Sequence, residues 1–142
     1  RLEFVRNYKG ADWYNDSIAT APERAMAAIR SFDHPLVLLL GGKDKDLPWE
    51  DLMALVRERV DHLVVFGAAS EKIMNTLGAP KLGGKPLSVA QCTGLKEAIQ
   101  VAAEVVSEGD VVLLSPGGTS FDEFRDFAER GEFYRKWVNE LL

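Results

Sequence analysis

One cysteine, two histidines and no basic run leave this 142-residue chain poor in the side chains that most often carry chemistry. A lone Cys92 excludes an internal disulfide and a cysteine-rich metal site. A formal charge of −5 without a basic cluster excludes nucleic acid as a partner. No apolar stretch nears the ~20 residues of a membrane span, so no membrane partner is expected. No signal-peptide pattern follows Arg1, and a cytoplasmic location is expected. Neither a G-x-x-x-x-G-K-[ST] phosphate loop nor a G-x-G-x-x-G fingerprint occurs. Repeats and low-complexity tracts are also missing. The chain opens on Arg1 rather than Met and is expected to be one part of a longer protein.

What is present is apolar and alternating. Hydrophobic residues make up 46 %, enough for one domain with a sizeable core. Leu2–Val5 and Trp13–Tyr14 read as a strand pair turning at Lys9-Gly10. Pro35–Leu40 ("PLVLLL"), His62–Phe66 ("HLVVF"), Leu87–Ala90 and Val111–Leu114 read as strands, the unbroken apolar runs suiting burial on both faces. Helical periodicity covers Glu23–Phe32, Trp49–Val60, Ser70–Leu77 (capped by Ser70) and Leu95–Val106. A long closing helix is expected over Phe121–Leu142, with a possible break at Gly131. Such alternation predicts an α/β, Rossmann-like three-layer domain over residues 1–142. Its sheet is mostly parallel, with helices on both faces and an antiparallel strand pair at the N-terminus.

Ligands of open α/β sheets bind outside the carboxyl ends of the strands. Polar and glycine residues gather there: Asn15, Asp16, Ser17 and Thr20; Gly41 to Lys45; and Ser115 to Ser120. Each cluster also has a purely structural reading. Thr20-Ala-Pro-Glu23 and Ser120-Phe-Asp-Glu123 fit capping boxes, and Gly41-Gly42 fits a plain turn. His34 and His62 fall at strand starts and read as structural. Cys92 reads as a packing residue, and Trp13, Trp49 and Trp137 as core or interface.

Taken together, the clusters have a shared chemistry. A helix opening at Ser120 would offer its hydroxyl and the Phe121 N–H to a carboxylate. Lys45 would neutralise a second carboxylate, and Thr20 would add a hydroxyl. Those parts suit a small dianion such as a dicarboxylic amino acid. Asp16 suits a ribose, an amine or a metal. Gly117 and Gly118 would let a ligand approach the backbone closely.

Three segments, "WYNDSIAT" (13–20), "LLLGGKDK" (38–45) and "LLSPGGTSFDEFRDFAERGEFY" (113–134), occur in an order and at separations that resemble the C-terminal domain of the Mur ligases. The match lies with the branch that adds D-glutamate. The resemblance implies a three-domain enzyme whose first domain binds the UDP-sugar. A central domain carries the ATP phosphate loop, the magnesium ligands and a carbamylated lysine. This C-terminal domain would pack on that central domain, bring in the amino acid and close over ATP. The implied reaction phosphorylates the terminal carboxylate of UDP-N-acetylmuramoyl-L-alanine, and the amine of D-glutamate attacks the acyl phosphate. By the same resemblance, Thr20, Lys45, Ser120, Phe121 and Phe127 hold D-glutamate. Asp16 meets the ATP ribose and Arg1 reaches the nucleotide; no side chain here is a nucleophile.

Two positions depart from the family pattern. Ile18 stands where some members have a phosphate-contacting lysine, and Ala21 where some have Asn. The Pro116-Gly117-Gly118 turn is glycine-rich for the family and is expected to be mobile. Two other classes remain open. A dinucleotide-binding module lacks its glycine fingerprint, and a receiver-type domain would need a Lys after the last strand, where Ser115-Pro116 stands.

Overall fold

The computed structural model describes residues 2–142, so Arg1 lies outside the described residues. β1 (Glu3–Tyr8) and β2 (Ala11–Asn15) pair antiparallel. Their turn holds Lys9 and Gly10 at φ 55° and 75°, the left-handed pair that matches hairpin twist. The chain then alternates: α1 (Pro22–Ile29), β3 (Leu36–Gly41), α2 (Glu50–Arg59), β4 (Val60–Phe66), α3 (Ser70–Leu77), β5 (Ser88–Cys92), α4 (Leu95–Val105), β6 (Val111–Gly117) and α5 (Phe127–Asn139). The six strands form one sheet in the order β1-β2-β6-β3-β4-β5, parallel at every pairing except the hairpin.

The apolar runs explain the layers. Leu36, Leu38 and Leu40 of β3 face a core shared with Ala25, Ile29, Leu52, Val56 and Ile73 from α1, α2 and α3. Val37 and Leu39 face the other core, with Leu95, Ile99, Tyr134 and Val138 from α4 and α5. Every residue of β3 is buried, and each such leucine contributes about 1.5–3 kcal/mol of apolar transfer. The expected three-layer fold is therefore the observed one.

Local corrections have local causes. The first helix ends at Ile29, short of Phe32: the Ser31 and Phe32 N–H groups donate only three residues back, to the Ala28 and Ile29 carbonyls, so the α-helical ladder stops there. The fourth strand in chain order begins at Val60 and the fifth at Ser88, leaving Leu87 outside and 64 % exposed. Ser70 does not cap α3; Ala69 is the cap, and the Ser70 hydroxyl donates to the Gly67 carbonyl at 2.6 Å. The long closing helix is instead a turn-rich segment followed by α5, which Asp126 caps by accepting from the Glu129 N–H at 2.8 Å. Gly131 does not break that helix. It is buried within it, where a Cβ would lie 2.9 Å from the Asn15 amide.

Candidate functional site

The last strand runs further than its apolar residues predict. β6 continues through Ser115 and Pro116 to Gly117. Pro116 is tolerated because the pairing with β3 shifts register there, between Leu39 and Gly41. Beyond the strand ends, the two glycine loops join. The Lys43 N–H donates to the Thr119 carbonyl and the Thr119 N–H to the Lys43 carbonyl, both at 2.8 Å. A Cβ on Gly42 would lie 2.1 Å from the Thr119 oxygen, and one on Gly118 would lie 2.5 Å from the Gly41 oxygen. The glycines therefore admit the neighbouring loop rather than a ligand. This corrects the expectation of a mobile, ligand-facing turn: the loop is buried and paired.

Two further tethers fix the rim of this seam. The segment after β2 lies across the end of β6, with the Gly117 N–H donating to the Ala19 carbonyl at 2.9 Å. The loop after β3 is tied by Asp44. Its carboxylate accepts from the Trp49 indole at 3.0 Å and from the Lys72 ammonium at 2.6 Å. Burial pulls the Asp44 carboxyl upward, but these donors outweigh it and hold the group below its ordinary range. Lys45, one residue on, is exposed.

Thr20 and Lys45 meet, as expected of a shared site: the Lys45 ammonium donates to the Thr20 hydroxyl at 3.3 Å. Thr20 does not cap α1, whose cap is Ala21 with no side-chain bond. Its hydroxyl is thus turned to the lysine instead of the helix.

Ser120 follows the Thr119 pairing directly and is 2 % exposed. No helix opens there. The Ser120 carbonyl accepts from the Glu123 N–H at 3.1 Å and the Phe124 N–H at 2.7 Å, closing a turn. The Ser120 hydroxyl is buried without a hydrogen-bond partner among the described residues. A buried orphan hydroxyl costs free energy, and the Tyr134 hydroxyl and one Arg130 nitrogen share that condition among the described residues. Phe121 stands next to Ser120, 66 % exposed. Phe127 opens α5, 42 % exposed, and borders an open cleft of about 290 Å³ with Asn15, Ser17, Ile18 and Arg135. Its carbonyl accepts from the Ser17 hydroxyl at 2.7 Å, so it sits on the Ser17 side of the seam.

Asp16 is buried and accepts from the Ser115 hydroxyl at 2.8 Å. It edges a second cleft of about 290 Å³ whose walls include Ile18, Ala19 and Ala27, with Arg24 at the rim. An apolar wall beside one carboxylate and one guanidinium suits a nucleoside: the carboxylate for ribose hydroxyls, the wall for a base.

Arg130 was not among the expected site residues. It is 1 % exposed, and its guanidinium donates to the Ser17 hydroxyl at 2.9 Å, the Ser17 carbonyl at 2.8 Å and the Gly118 carbonyl at 3.1 Å. Burial lowers its pKa to about 10, against the pull of Asp122 and Glu123, so it stays charged at neutral pH. The guanidinium ties the segment after β2 to the glycine seam. An arginine in "FAERGEF" reads as an exposed helix position, and no local signal marks its burial.

The remaining chemistry-bearing residues behave as structural parts. The Cys92 thiol is buried and pushed up to about 11 by burial and by the Glu97 charge, which makes it a poor nucleophile. His62 Nδ1 is 2.6 Å from the Ser88 hydroxyl. Trp13 and Trp49 are core, and Trp137 packs on Phe133 at 5.0 Å between ring centres. Among the described residues, no group of three or more His, Cys, Asp or Glu side chains is placed to hold a metal, and no helix is long and apolar enough to cross a membrane.

The sheet is doubly wound, and at its carboxyl end stand an orphan hydroxyl, an exposed lysine on a threonine hydroxyl and a carboxylate-edged cleft, the place where open α/β sheets carry their ligands. Comparison with known proteins goes further. The family described as Mur ligase, glutamate ligase domain, matches residues 1–118, and the chain belongs to this family. Curated relatives extend the likeness over the final segment. A UDP-N-acetylmuramoylalanine–D-glutamate ligase of Acetivibrio thermocellus is 40 % identical over 99 % of this chain and 31 % of its own length. The protein of that name from Syntrophus aciditrophicus is 44 % identical over 97 % of this chain and 29 % of its own. The chain thus spans under a third of the curated relatives it matches. A solved domain from Haemophilus ducreyi, described as part of a UDP-N-acetylmuramate:L-alanyl-gamma-D-glutamyl-medo-diaminopimelate ligase, shares the fold. Its TM-score is 0.61, at 15 % identity over 97 % of this chain and 99 % of that one.

Proposed function

We propose that this chain is the amino-acid-binding, C-terminal domain of a cytoplasmic, ATP-dependent ligase that joins D-glutamate to UDP-N-acetylmuramoyl-L-alanine in peptidoglycan precursor synthesis. The observation that carries the reading is the pairing of Lys45 with Thr20, on a loop whose Lys43 is bonded to Thr119, the residue just before the buried, unpartnered Ser120 hydroxyl. Together they offer one cation and two hydroxyls to a dicarboxylate. Lys45 neutralises one carboxylate through a charge-assisted bond, and Ser120 donates to an oxygen of the same ligand. Phe121 and Phe127 present exposed rings that shield the bound carbon chain from water. ATP supplies the phosphoryl group that activates the carboxylate of the nucleotide-linked L-alanine. Asp16 accepts from the ribose hydroxyls at the edge of its cleft, and Ile18 supplies an apolar wall rather than a phosphate contact. Arg1, outside the described residues, is assigned to the nucleotide on the family resemblance alone. The phosphate loop and magnesium ligands belong to a central domain on which this one packs. With the substrate amine as nucleophile, this domain contributes position and charge neutralisation.

The test is turnover in the full-length protein of which this chain is a part. ADP release should depend on D-glutamate and UDP-N-acetylmuramoyl-L-alanine together. The 142-residue chain alone should give none, having no phosphate loop. Release without D-glutamate, or steady release by the chain alone, overturns the reading.

A further inference from the structure

The turn that carries Ser120 and Phe121 has no regular structure of its own between β6 and α5. Two carboxylates hold it across the top of the sheet. The Asp122 carboxylate accepts from the Ala68 N–H at 3.0 Å, just after β4. The Glu123 carboxylate accepts from the Leu95 N–H at 3.2 Å to each oxygen, at the start of α4. Each carboxylate fits a notch left by a glycine. A Cβ on Gly67 would lie 2.5 Å from the Asp122 oxygen, and one on Gly94 would lie 2.7 Å from a Glu123 oxygen. Both donating N–H groups lie at or next to a helix start, where they have no partner within the helix. The capping-box reading of "SFDE" is thereby reversed: Glu123 serves a different helix, 28 residues earlier in the chain.

We propose that Asp122 and Glu123 are positioning residues: a two-point carboxylate clamp that fixes the Ser120–Phe121 turn for the amino-acid substrate. This deepens, and rests on, the reading of Ser120 and Phe121 as D-glutamate contacts. Neither carboxylate touches substrate; each acts by pinning the turn to a helix start. Buried Arg130 adds a charge that favours both carboxylates, while its own hydrogen bonds go to Ser17 and Gly118. The geometry assigns the clamp to the substrate step rather than to the core, because the turn between its two anchors and Ser120 buries little apolar surface: Phe121 and both clamp residues are exposed.

The test uses two readouts. Hydrogen exchange in the 142-residue chain reports the clamp itself. Asp122→Ala/Glu123→Ala should speed exchange at Ala68, Leu95 and residues 120–126 while β3 and β6 stay protected. Steady-state kinetics of the full-length protein report its purpose. The same double variant should raise the D-glutamate KM roughly tenfold, with kcat and the ATP KM changed less than about twofold. Asp122→Asn and Glu123→Gln retain an acceptor oxygen and should restore most of the affinity. Unchanged exchange in the turn overturns the clamp, as does an unchanged D-glutamate KM or an equal rise in both KM values. Should the wild-type protein not use D-glutamate at all, the substrate reading fails on its own, and the exchange result still decides the clamp.

Discussion

Replacing Gly118 by alanine isolates the pairing of the two glycine loops. Gly118 is not in the left-handed region, so the added methyl brings no backbone penalty. It does bring a contact of 2.5 Å to the Gly41 carbonyl oxygen and 3.0 Å to that of Lys43. Both are backbone atoms and cannot swing aside. Relief requires the loops to part, which breaks the two reciprocal bonds between Lys43 and Thr119. Each is worth about 1 kcal/mol net, and each buried group left unpaired costs about 1–3 kcal/mol, so the loss should reach about 2–4 kcal/mol. For a domain of this size that lowers the melting temperature by roughly 8–15 °C. Gly109→Ala is the control: φ is +92° and nothing among the described residues lies within 4 Å of the new methyl. It should lose only the left-handed cost, about 1 kcal/mol. Thermal unfolding of both variants by circular dichroism decides the matter. If Gly118→Ala melts at or above Gly109→Ala, the seam is looser than described and its glycines serve another purpose.

Further expectations separate affinity from stability. Ser120→Ala removes a buried hydroxyl without a partner, so the melting temperature should hold or rise while the D-glutamate KM of the full-length protein increases; a fall in stability with unchanged KM would make Ser120 structural. Lys45→Met should weaken D-glutamate by roughly 1.5–3 kcal/mol, about tenfold or more in KM, with little change in melting because the lysine is exposed; an unchanged KM removes it from the site. Asp16→Asn should raise the ATP KM more than the D-glutamate KM, and the reverse order would mean Asp16 faces the wrong ligand. Glu123 gives a pH signature. Although the residue as a whole is exposed, desolvation of its carboxyl group against the start of α4, then the Asp122 charge, raise its pKa over the opposing Leu95 N–H and Arg130. A raised carboxyl pKa favours the neutral form in the fold, so its stabilisation is full below the ordinary glutamate value, about 4.3, and is lost as pH rises through the folded value. The melting advantage of Glu123→Gln over wild type should therefore grow from near zero in acid to a plateau at neutral pH; a pH-independent difference refutes the burial argument.

The architecture was legible because β3, β4 and β6 announce themselves as apolar runs and the helices between them keep a clean stripe. Thr20 and Lys45 were legible as strand-end residues, and they do meet. What stayed hidden depends on contacts distant in sequence. "TSFDE" carries a local helix signature, yet its acidic side chains are drawn to the starts of α3 and α4, so the turn never becomes a helix. Arg130 sits at an ordinary helical spacing, and only the approach of α5 to Ser17 buries it. The glycines of both loops suggested a ligand, because nothing local to either loop indicates that the other fills the space.

The position of β6 sets an order of assembly. It is the last strand made, yet it lies between the second and third, pairing with both. Until residues 111–117 are present, the preceding strands of this domain can form only a separate hairpin and a three-stranded half-sheet, each with an unpaired apolar edge. Arrival of residues 111–117 joins the halves and, in the same step, gives the segment after β2 its bond to the end of β6, from the Gly117 N–H to the Ala19 carbonyl. A nascent or truncated chain ending before this strand would therefore be a ready client for chaperones and prone to edge-to-edge association.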